Sequence, residues 1–202
     1  MNFQIVIHPI KSDKNNRRFM LIVSVCTLAL AVLACIVNIG GPAYPTPAII
    51  VSTEAVGELQ STLEAAVAAG ADSGQVTLVI TEPQLTSYLA YRLQTQTEPF
   101  ITNPQVYLRD GQIRLYGTAT QGYFQATAGV VLTAGVDEQG QLKIGLTSAD
   151  FGPLPVPSGL LEVITAAIKE AYTGALGPVA TGFRLESITV NNGTMTIVGR
   201  TK

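Results

Sequence analysis

The acidic side chains are the residues of this chain with the clearest capacity for acid–base chemistry. Asp110 and the pair Asp137-Glu138 fall in predicted turns, where acidic residues are common because they hydrogen-bond to the local backbone. Asp150 lies between a predicted strand and the rigid segment Phe151–Pro157, and we expect it to brace that loop. No two carboxylates have the spacing that a shared metal or an acid–base pair requires. The sequence therefore predicts no catalytic residue and no metal site.

Histidine and cysteine offer no alternative chemistry in the C-terminal part of the chain. The one histidine is His8, and both cysteines, Cys26 and Cys35, lie within an apolar run. No Gly-x-Ser-x-Gly motif or glycine-rich phosphate loop is present, and no nearby histidine would activate a serine. The sequence thus predicts a protein that is not an enzyme and that needs no cofactor.

The apolar run Phe19–Ile39 is uncharged. As a helix with a rise of about 1.5 Å per residue, about 20 residues cross the roughly 30 Å hydrocarbon core of a bilayer. We therefore expect a transmembrane helix over residues 19–40. It separates a basic tail, residues 1–18, from a Pro/Gly-rich linker, residues 41–50, and an α+β domain, residues 51–202.

Charge predicts the orientation of this single span. The tail has four basic residues and one acidic residue, whereas the rest of the chain has eight basic and thirteen acidic residues. Because basic flanks stay in the cytoplasm, we expect a cell-membrane protein with a cytoplasmic N-terminus and an extracytoplasmic domain. The cations of this acidic domain are scattered, which argues against a nucleic-acid partner.

Cys35 leaves a second form of attachment open. The segment Val32-Leu33-Ala34-Cys35 is similar to a bacterial lipobox, in which Cys35 would be lipidated after cleavage. The run is longer than the usual 7–15 apolar residues of a signal peptide, which favours an uncleaved anchor. In both cases the domain is tethered outside the cytoplasm.

Local signals predict the elements of the domain. Helices are expected over residues 52–69, after the capping sequence Thr81-Glu82-Pro83-Gln84, and over Gly159–Thr173. Hairpin turns are expected at Asp110-Gly111 and at Asn191-Asn192-Gly193. A long alternating strand is expected over residues 123–136, and a bulge near Glu186-Ser187.

Together these elements predict an α+β fold in which one transmembrane helix precedes a strongly curved antiparallel β-sheet packed against about three helices on its concave side. Small inward residues such as Ala126, Ala128 and Ala134 leave room inside the sheet. That room could hold the domain's own helices or an acyl chain. The candidate cavity residues are Leu85, Leu89, Phe124, Val130, Leu132, Leu160, Leu161, Ile164 and Ile168.

Four short motifs carry a resemblance to known proteins. They are Thr81-Glu82-x-x-Leu85-Thr86-x-x-Leu89, Asn103-Pro104-x-Val106-x-Leu108, Asp110-Gly111-x-Ile113-x-Leu115-x-Gly117 and Phe151-Gly152-x-Leu154-Pro155-x-Pro157. Their order resembles the YpmS-like and LmeA-like bacterial membrane-anchored or exported proteins. The resemblance implies an extracytoplasmic domain of lipid-binding fold, with no catalytic residues to carry over.

The first functional hypothesis is a membrane-anchored, non-catalytic domain that binds a lipid or another apolar ligand near the cell envelope. Its expected partners are the membrane and that ligand, and the sequence leaves protein partners open. The alternative is a structural or protein-interaction module of the envelope with a fully packed core. An empty apolar cavity of several hundred Å³ would favour the first hypothesis, and a filled core the second.

Overall fold

The computed structural model describes residues 14–33, 37–96, 99, 101–156, 158, 162, 165 and 183–201. The chain divides into two compact units, Met1–Val37 and Asn38–Lys202. The first unit contains helix α1 (Lys14–Leu33). Among the described residues, no helix has the length and apolar character needed to cross a membrane.

The predicted helix over residues 19–40 is wrong at its C-terminal end. Helix α1 ends at Leu33, and Val37–Asn38 form a short strand, β1. In the second unit, the Ile39 N–H donates to the Gln125 carbonyl at 2.8 Å, and the Gly40 carbonyl accepts from the Thr127 N–H at 2.8 Å. Strand pairing thus satisfies backbone groups that the end of a helix would leave without partners. Cys35 lies outside the described residues.

The second unit is α+β, as predicted, with a strongly curled, antiparallel-rich β layer. This layer divides into two hydrogen-bonded sheets rather than one. The first has the order β1-β5-β4-β3, with β6 also paired to β5, and the second has the order β2-β8-β7. The strands are β2 (Gln75–Thr81), β3 (Thr102–Arg109), β4 (Gln112–Gln121), β5 (Phe124–Val136), β6 (Leu142–Asp150), β7 (Phe183–Asn191) and β8 (Thr194–Thr201).

Two helices of this unit lie in the described part of the chain. Helix α2 (Thr53–Ser73) begins at the cap Ser52, whose hydroxyl accepts from the Ala55 N–H, and it packs on β2. Helix α3 (Glu82–Gln94) begins with the predicted capping box between Thr81 and Gln84, and it packs on β3 and α2. The predicted helix Gly159–Thr173 falls almost entirely outside the described residues.

The predicted turns and the predicted bulge are confirmed. Asp110 and Gly111 both have positive φ between β3 and β4, as do Asn192 and Gly193 between β7 and β8. These are the conformations that a two-residue hairpin turn requires. The pairing of β7 with β8 shifts register between Leu185 and Ser187, as expected for a bulge near Glu186.

The hydrophobic core lies between the helices and the inner faces of both sheets. Its most deeply buried side chains include Ile101, Val106, Leu108 and Val130. Helix α2 contributes Leu63 from its buried stripe, and the second sheet contributes alternate residues of β2. Burial of apolar surface at about 25 cal/mol per Å² is the main force that holds the helices on the sheets.

Gly41 provides a test of how the start of this unit is fixed to β5. A Cβ atom at Gly41 would lie 2.0 Å from the Thr127 carbonyl oxygen, and its φ is +114°. We expect Gly41→Ala to lower the free energy of unfolding by about 2–4 kcal/mol through backbone strain and overpacking. Denaturation of the full chain, followed by circular dichroism, measures the loss.

Gly40 is the matched control. Its φ is +104°, but a Cβ atom there would meet nothing within 4 Å. Gly40→Ala should therefore lower the free energy of unfolding only by the cost of backbone strain, about 1 kcal/mol. Equal losses in the two variants would contradict close packing of Gly41 on β5.

Candidate binding groove

Two side chains of α3 take the place of a strand beside β3. The Leu108 N–H donates to Oε1 of Glu82 at 2.7 Å, and the Val106 N–H donates to Oγ1 of Thr86 at 3.0 Å. Both acceptor residues are buried, although they are polar. Their oxygens satisfy backbone donors that β3 would otherwise leave unpaired at the edge of its sheet.

The spacing of residues along a helix and along a strand explains why two side chains of α3 reach two N–H groups of β3. Four residues of a helix advance about 6 Å, and two residues of a strand advance about 6.6 Å. Glu82 and Thr86 therefore come into register with Leu108 and Val106, whose N–H groups point toward the same edge. The helix aligns along the strand because these two repeats nearly coincide.

Glu82 also forms an ion pair with Arg109. Both of its carboxylate oxygens accept from the guanidinium group of Arg109, through Nη1 and Nη2. The Glu82 side chain is 12% exposed and that of Arg109 is 43% exposed, so the pair lies at the boundary of the core. The Glu82 backbone N–H donates to the Gly193 carbonyl at 3.1 Å, which brings the β7–β8 turn to the same point.

The proline-rich segment Pro42–Val51 lies against the outer face of the first sheet. Its Ile49 backbone forms two hydrogen bonds with the Gln105 side-chain amide, at 2.6 and 3.1 Å. The Tyr107 hydroxyl contacts the Pro45 and Pro47 carbonyls at 3.3 and 3.1 Å. Residues 41–50, for which the sequence predicts a linker, are therefore fixed on the domain.

Three tyrosines pack against one another beneath the proline-rich segment. Tyr116 lies 6.4 Å from Tyr44 and 6.0 Å from Tyr107, measured between ring centroids, and the second pair packs edge to face. The Tyr44 hydroxyl donates to the Asn103 carbonyl. Burial raises the pKa of Tyr44, with a further contribution from Tyr107. Burial also raises the pKa of Tyr107, which lies near the Glu82 carboxylate. Both phenols therefore remain neutral donors at physiological pH.

An open groove of about 580 Å³ runs between the proline-rich segment and the sheet. One wall is the segment itself, from Pro45 to Ile50, and Glu82 and Pro83 close one end. The floor consists of Tyr107 and Arg109 from β3 and Arg114 and Tyr116 from β4. Tyr107 and Arg114 face each other directly in the register of the two strands.

The groove combines an apolar wall with two cationic groups. Ile50 is 84% exposed, so the wall presents a large apolar side chain to solvent. Arg114 donates to Asp110 at 2.9 Å and to the Gln112 side chain at 3.4 Å. A guanidinium group has five N–H donors, so both arginines keep donors without a partner among the described residues. The groove can thus bind an anionic group beside an apolar one.

The residues predicted to line a cavity occupy other places. Val130 and Leu132 are buried in the core, and Leu85 and Leu89 pack against it. Phe124 is 49% exposed at the start of β5. None of these five lines the groove. The other four candidates, Leu160, Leu161, Ile164 and Ile168, lie outside the described residues.

Asp150 has the bracing role that the sequence predicts. Its Oδ1 accepts from the Gly152 N–H at 2.8 Å. In the described part of the chain, no three His, Cys, Asp or Glu side chains form a group that could hold a metal ion.

The groove residues were missed because they are brought together over long sequence separations. Glu82 is 26 residues from Leu108, and Gln105 is 56 residues from Ile49. One available signal was the spacing of Glu82 and Thr86, two polar residues four apart in a capped helix. A second was the alternation of tyrosine and arginine on β3 and β4.

Comparisons with known proteins do not assign this chain to a family. No family model, no curated protein and no solved structure matches this chain. The protein is thus defined by its structure, as an α+β unit with an amphiphilic groove between a docked proline-rich segment and a β-sheet.

Glu82 provides a test of how this site is held. Replacing Glu82 with Ala removes the Arg109 ion pair and leaves the buried Leu108 N–H without an acceptor. We expect the free energy of unfolding to fall by about 3 kcal/mol. Glu82→Gln retains a side-chain oxygen for Leu108 and should cost only about 1 kcal/mol. Urea denaturation of both variants measures the difference, and equal losses would argue against the contact with β3.

Proposed function

We propose that this protein is a membrane-anchored, non-catalytic domain outside the cytoplasm that binds an amphiphile with an anionic head group in the groove. The observation that carries the proposal is the convergence of an apolar wall, a tyrosine floor and two guanidinium groups in one groove. A volume of about 580 Å³ falls within the range of small-molecule sites and would hold a lipid head group with the first part of its chains.

Charge supports an anionic ligand. After the basic tail, the chain has thirteen acidic and eight basic residues, yet Arg109 and Arg114 both line the groove and Glu82 is the one acid that does. Asp110, the partner of Arg114, has a side chain that is 78% exposed. An exposed ion pair contributes little, so an incoming phosphate or carboxylate can compete for Arg114 at low cost.

The environment of Glu82 supports a binding role rather than a catalytic one. Its carboxylate already accepts from the Leu108 N–H and from two nitrogens of Arg109. Because both of its oxygens are already engaged by these donors, the carboxylate is not free to accept a proton from a ligand. The other ionisable groups on the groove are two arginines and two tyrosines.

The surface of α1 supports the anchor. Large apolar side chains are exposed at seven positions from Phe19 to Leu28, including five in succession, so they surround the helix rather than forming one stripe. Although no described helix is long and apolar enough to cross a membrane by itself, apolar side chains on every side of a helical segment suit an apolar environment such as a bilayer. The four basic residues before the run favour a cytoplasmic N-terminus. The resemblance of the four short motifs to the YpmS-like and LmeA-like proteins implies the same arrangement.

A second candidate is an envelope interaction module that binds a protein rather than a lipid. It is favoured by the burial of Val130 and Leu132, which are 0% and 3% exposed, since these positions offer a ligand no access. The two candidates differ in what occupies the groove.

Replacing Arg114 tests the groove. The full chain, held in an amphipol so that no micelle competes, is titrated with dihexanoylphosphatidylglycerol, and binding is followed by calorimetry. We expect Arg114→Gln to weaken binding about tenfold, since a charge-assisted hydrogen bond contributes about 1.5–3 kcal/mol. The zwitterionic dihexanoylphosphatidylcholine should bind more weakly and respond little to the substitution.

Arg200→Gln is the matched control. Arg200 also lies on a strand and pairs with one acid, Glu186, at 3.0 Å, but it does not line the groove. Its replacement should leave lipid binding unchanged. If neither lipid binds the unmodified chain, or if both variants weaken binding equally, the lipid proposal fails and the interaction module becomes the better explanation.

Alkaline carbonate extraction tests the anchor. We expect the unmodified chain to remain with the membrane, and the double variant Leu21→Arg, Leu28→Arg to be released, because each central arginine costs about 3 kcal/mol in a membrane helix. Extraction of the unmodified chain would contradict the anchor. The intact mass of the retained protein shows whether residues before Cys35 are still present, which distinguishes a helical anchor from a lipidated Cys35.

A further inference from the structure

The β4–β5 hairpin ends in two exposed aromatic side chains. Strand β4 ends at Gln121, Gly122 turns the chain with φ of +59°, and Tyr123 and Phe124 follow. Tyr123 is 68% exposed and Phe124 is 49% exposed. We call residues Gln121–Gln125 the hairpin tip. Isolated exposed apolar residues are normal, but two adjacent aromatic rings at a tip form a larger exposed apolar surface.

The hairpin tip lies where the chain enters the second unit. That unit begins at Asn38, and the next residue, Ile39, donates its N–H to the carbonyl of Gln125. Gly41 packs closely on the backbone of Thr127, since a Cβ atom at this position would lie 2.0 Å from the Thr127 carbonyl oxygen. The entry point is thus fixed to β5 within one to three residues of Phe124, or roughly 3–10 Å along the strand.

The residues around the hairpin tip carry no charge. From Leu115 to Val136 there is no Asp, Glu, Lys or Arg, although the chain after the basic tail is acidic. On the paired strand β6, the charged residue nearest the tip in register is Asp150, which lies opposite Gly129. Burial of the tip among lipid head groups would therefore desolvate no charge on the hairpin.

Chain length allows the hairpin tip to reach the surface of the bilayer that would hold the proposed anchor. The chain from the end of α1 at Leu33 to Asn38 spans five residues, which is at most about 17 Å. The head-group layer outside the hydrocarbon core is about 5–8 Å thick on each side. Tyrosine is enriched in this layer because its ring is apolar and its hydroxyl is polar.

We infer that the hairpin tip is a second membrane contact, in which Tyr123 and Phe124 insert into the head-group layer of the bilayer that holds the apolar run. This inference rests on the proposed membrane anchor. It assigns to the domain a lipid-surface contact that is separate from the groove, because neither aromatic residue lines the groove.

Tryptophan fluorescence tests this contact directly, because the chain contains no tryptophan. Phe124→Trp and Tyr123→Trp each introduce a single reporter at the hairpin tip. The full-length variants are reconstituted into phosphatidylcholine vesicles with and without lipids brominated near the top of the acyl chains. Two tip variants are used so that a folding defect in one, detected by circular dichroism, does not decide the result.

Gln139→Trp is the matched control. Gln139 is exposed in the turn at the other end of β5, and a strand of thirteen residues spans roughly 40 Å. For rings at head-group level we expect brominated lipid to quench the tip reporters at least about twofold more than the control reporter. Quenching at the tip no greater than at residue 139 would overturn the inference.

Carbonate extraction of the same vesicles distinguishes a failure of the contact at the hairpin tip from a failure of the proposed membrane anchor. Retained protein with an unquenched tip means that the anchor holds and the second contact is absent. Released protein with a quenched tip means that the anchor fails and the tip binds the lipid surface alone. Released protein with an unquenched tip contradicts both.

Discussion

The contact between Glu82 and Leu108 is the constraint on which the arrangement of this domain depends. Glu82 begins α3 immediately after β2, so its position links the second sheet to the helix. Its carboxylate binds β3 of the first sheet, and its backbone N–H binds Gly193 in the β7–β8 turn. The Gly111 N–H in turn donates to the Val190 carbonyl, and the Gly193 N–H to the Leu108 carbonyl. Two sheets that share no strand are thereby joined through one residue and two hairpin turns.

The shape of the groove also depends on the contact between Glu82 and Leu108. Glu82 holds the Arg109 guanidinium group at one end of the floor, and the pairing of β3 with β4 places Arg114 beside Tyr107. The opposite wall depends on Gln105, whose amide group pairs with Ile49 as a neighbouring strand would. A binding surface built in this way is largely pre-formed, so a ligand would lose little free energy in ordering it.

Sequence reasoning succeeded where structure depends on near neighbours. The Ser52 cap, the Thr81–Gln84 capping box and the turn at Asp110-Gly111 each require residues within four positions of one another. The elements were therefore predictable, and so was the α+β class, because strand and helix periodicities are local properties.

The groove was not predictable because its geometry depends on residues that are far apart in the sequence. A polar helix face usually indicates solvent, so the spacing of Glu82 and Thr86 does not by itself distinguish a helix that binds a strand edge from an exposed one. Proline-rich sequence usually indicates a spacer, yet hydrogen bonds over about 60 residues fix Pro45 and Pro47 to Tyr107. Phe124 fitted an inward alternation, but it is the first residue of β5 and is half exposed. Partners distant in sequence decided the first two of these outcomes, and the position of Phe124 at the start of its strand decided the third.

The closure of β3 by side chains also bears on whether other chains can pair with this edge of the sheet. An open strand edge is a template onto which a second copy can add its own strand, which is how many β-proteins aggregate. At β3 the Val106 and Leu108 N–H groups are already taken by Thr86 and Glu82, and Pro104 has no N–H to offer. A hydroxyl and a carboxylate cannot continue a backbone ladder, so on this side the sheet ends and cannot be extended by another molecule.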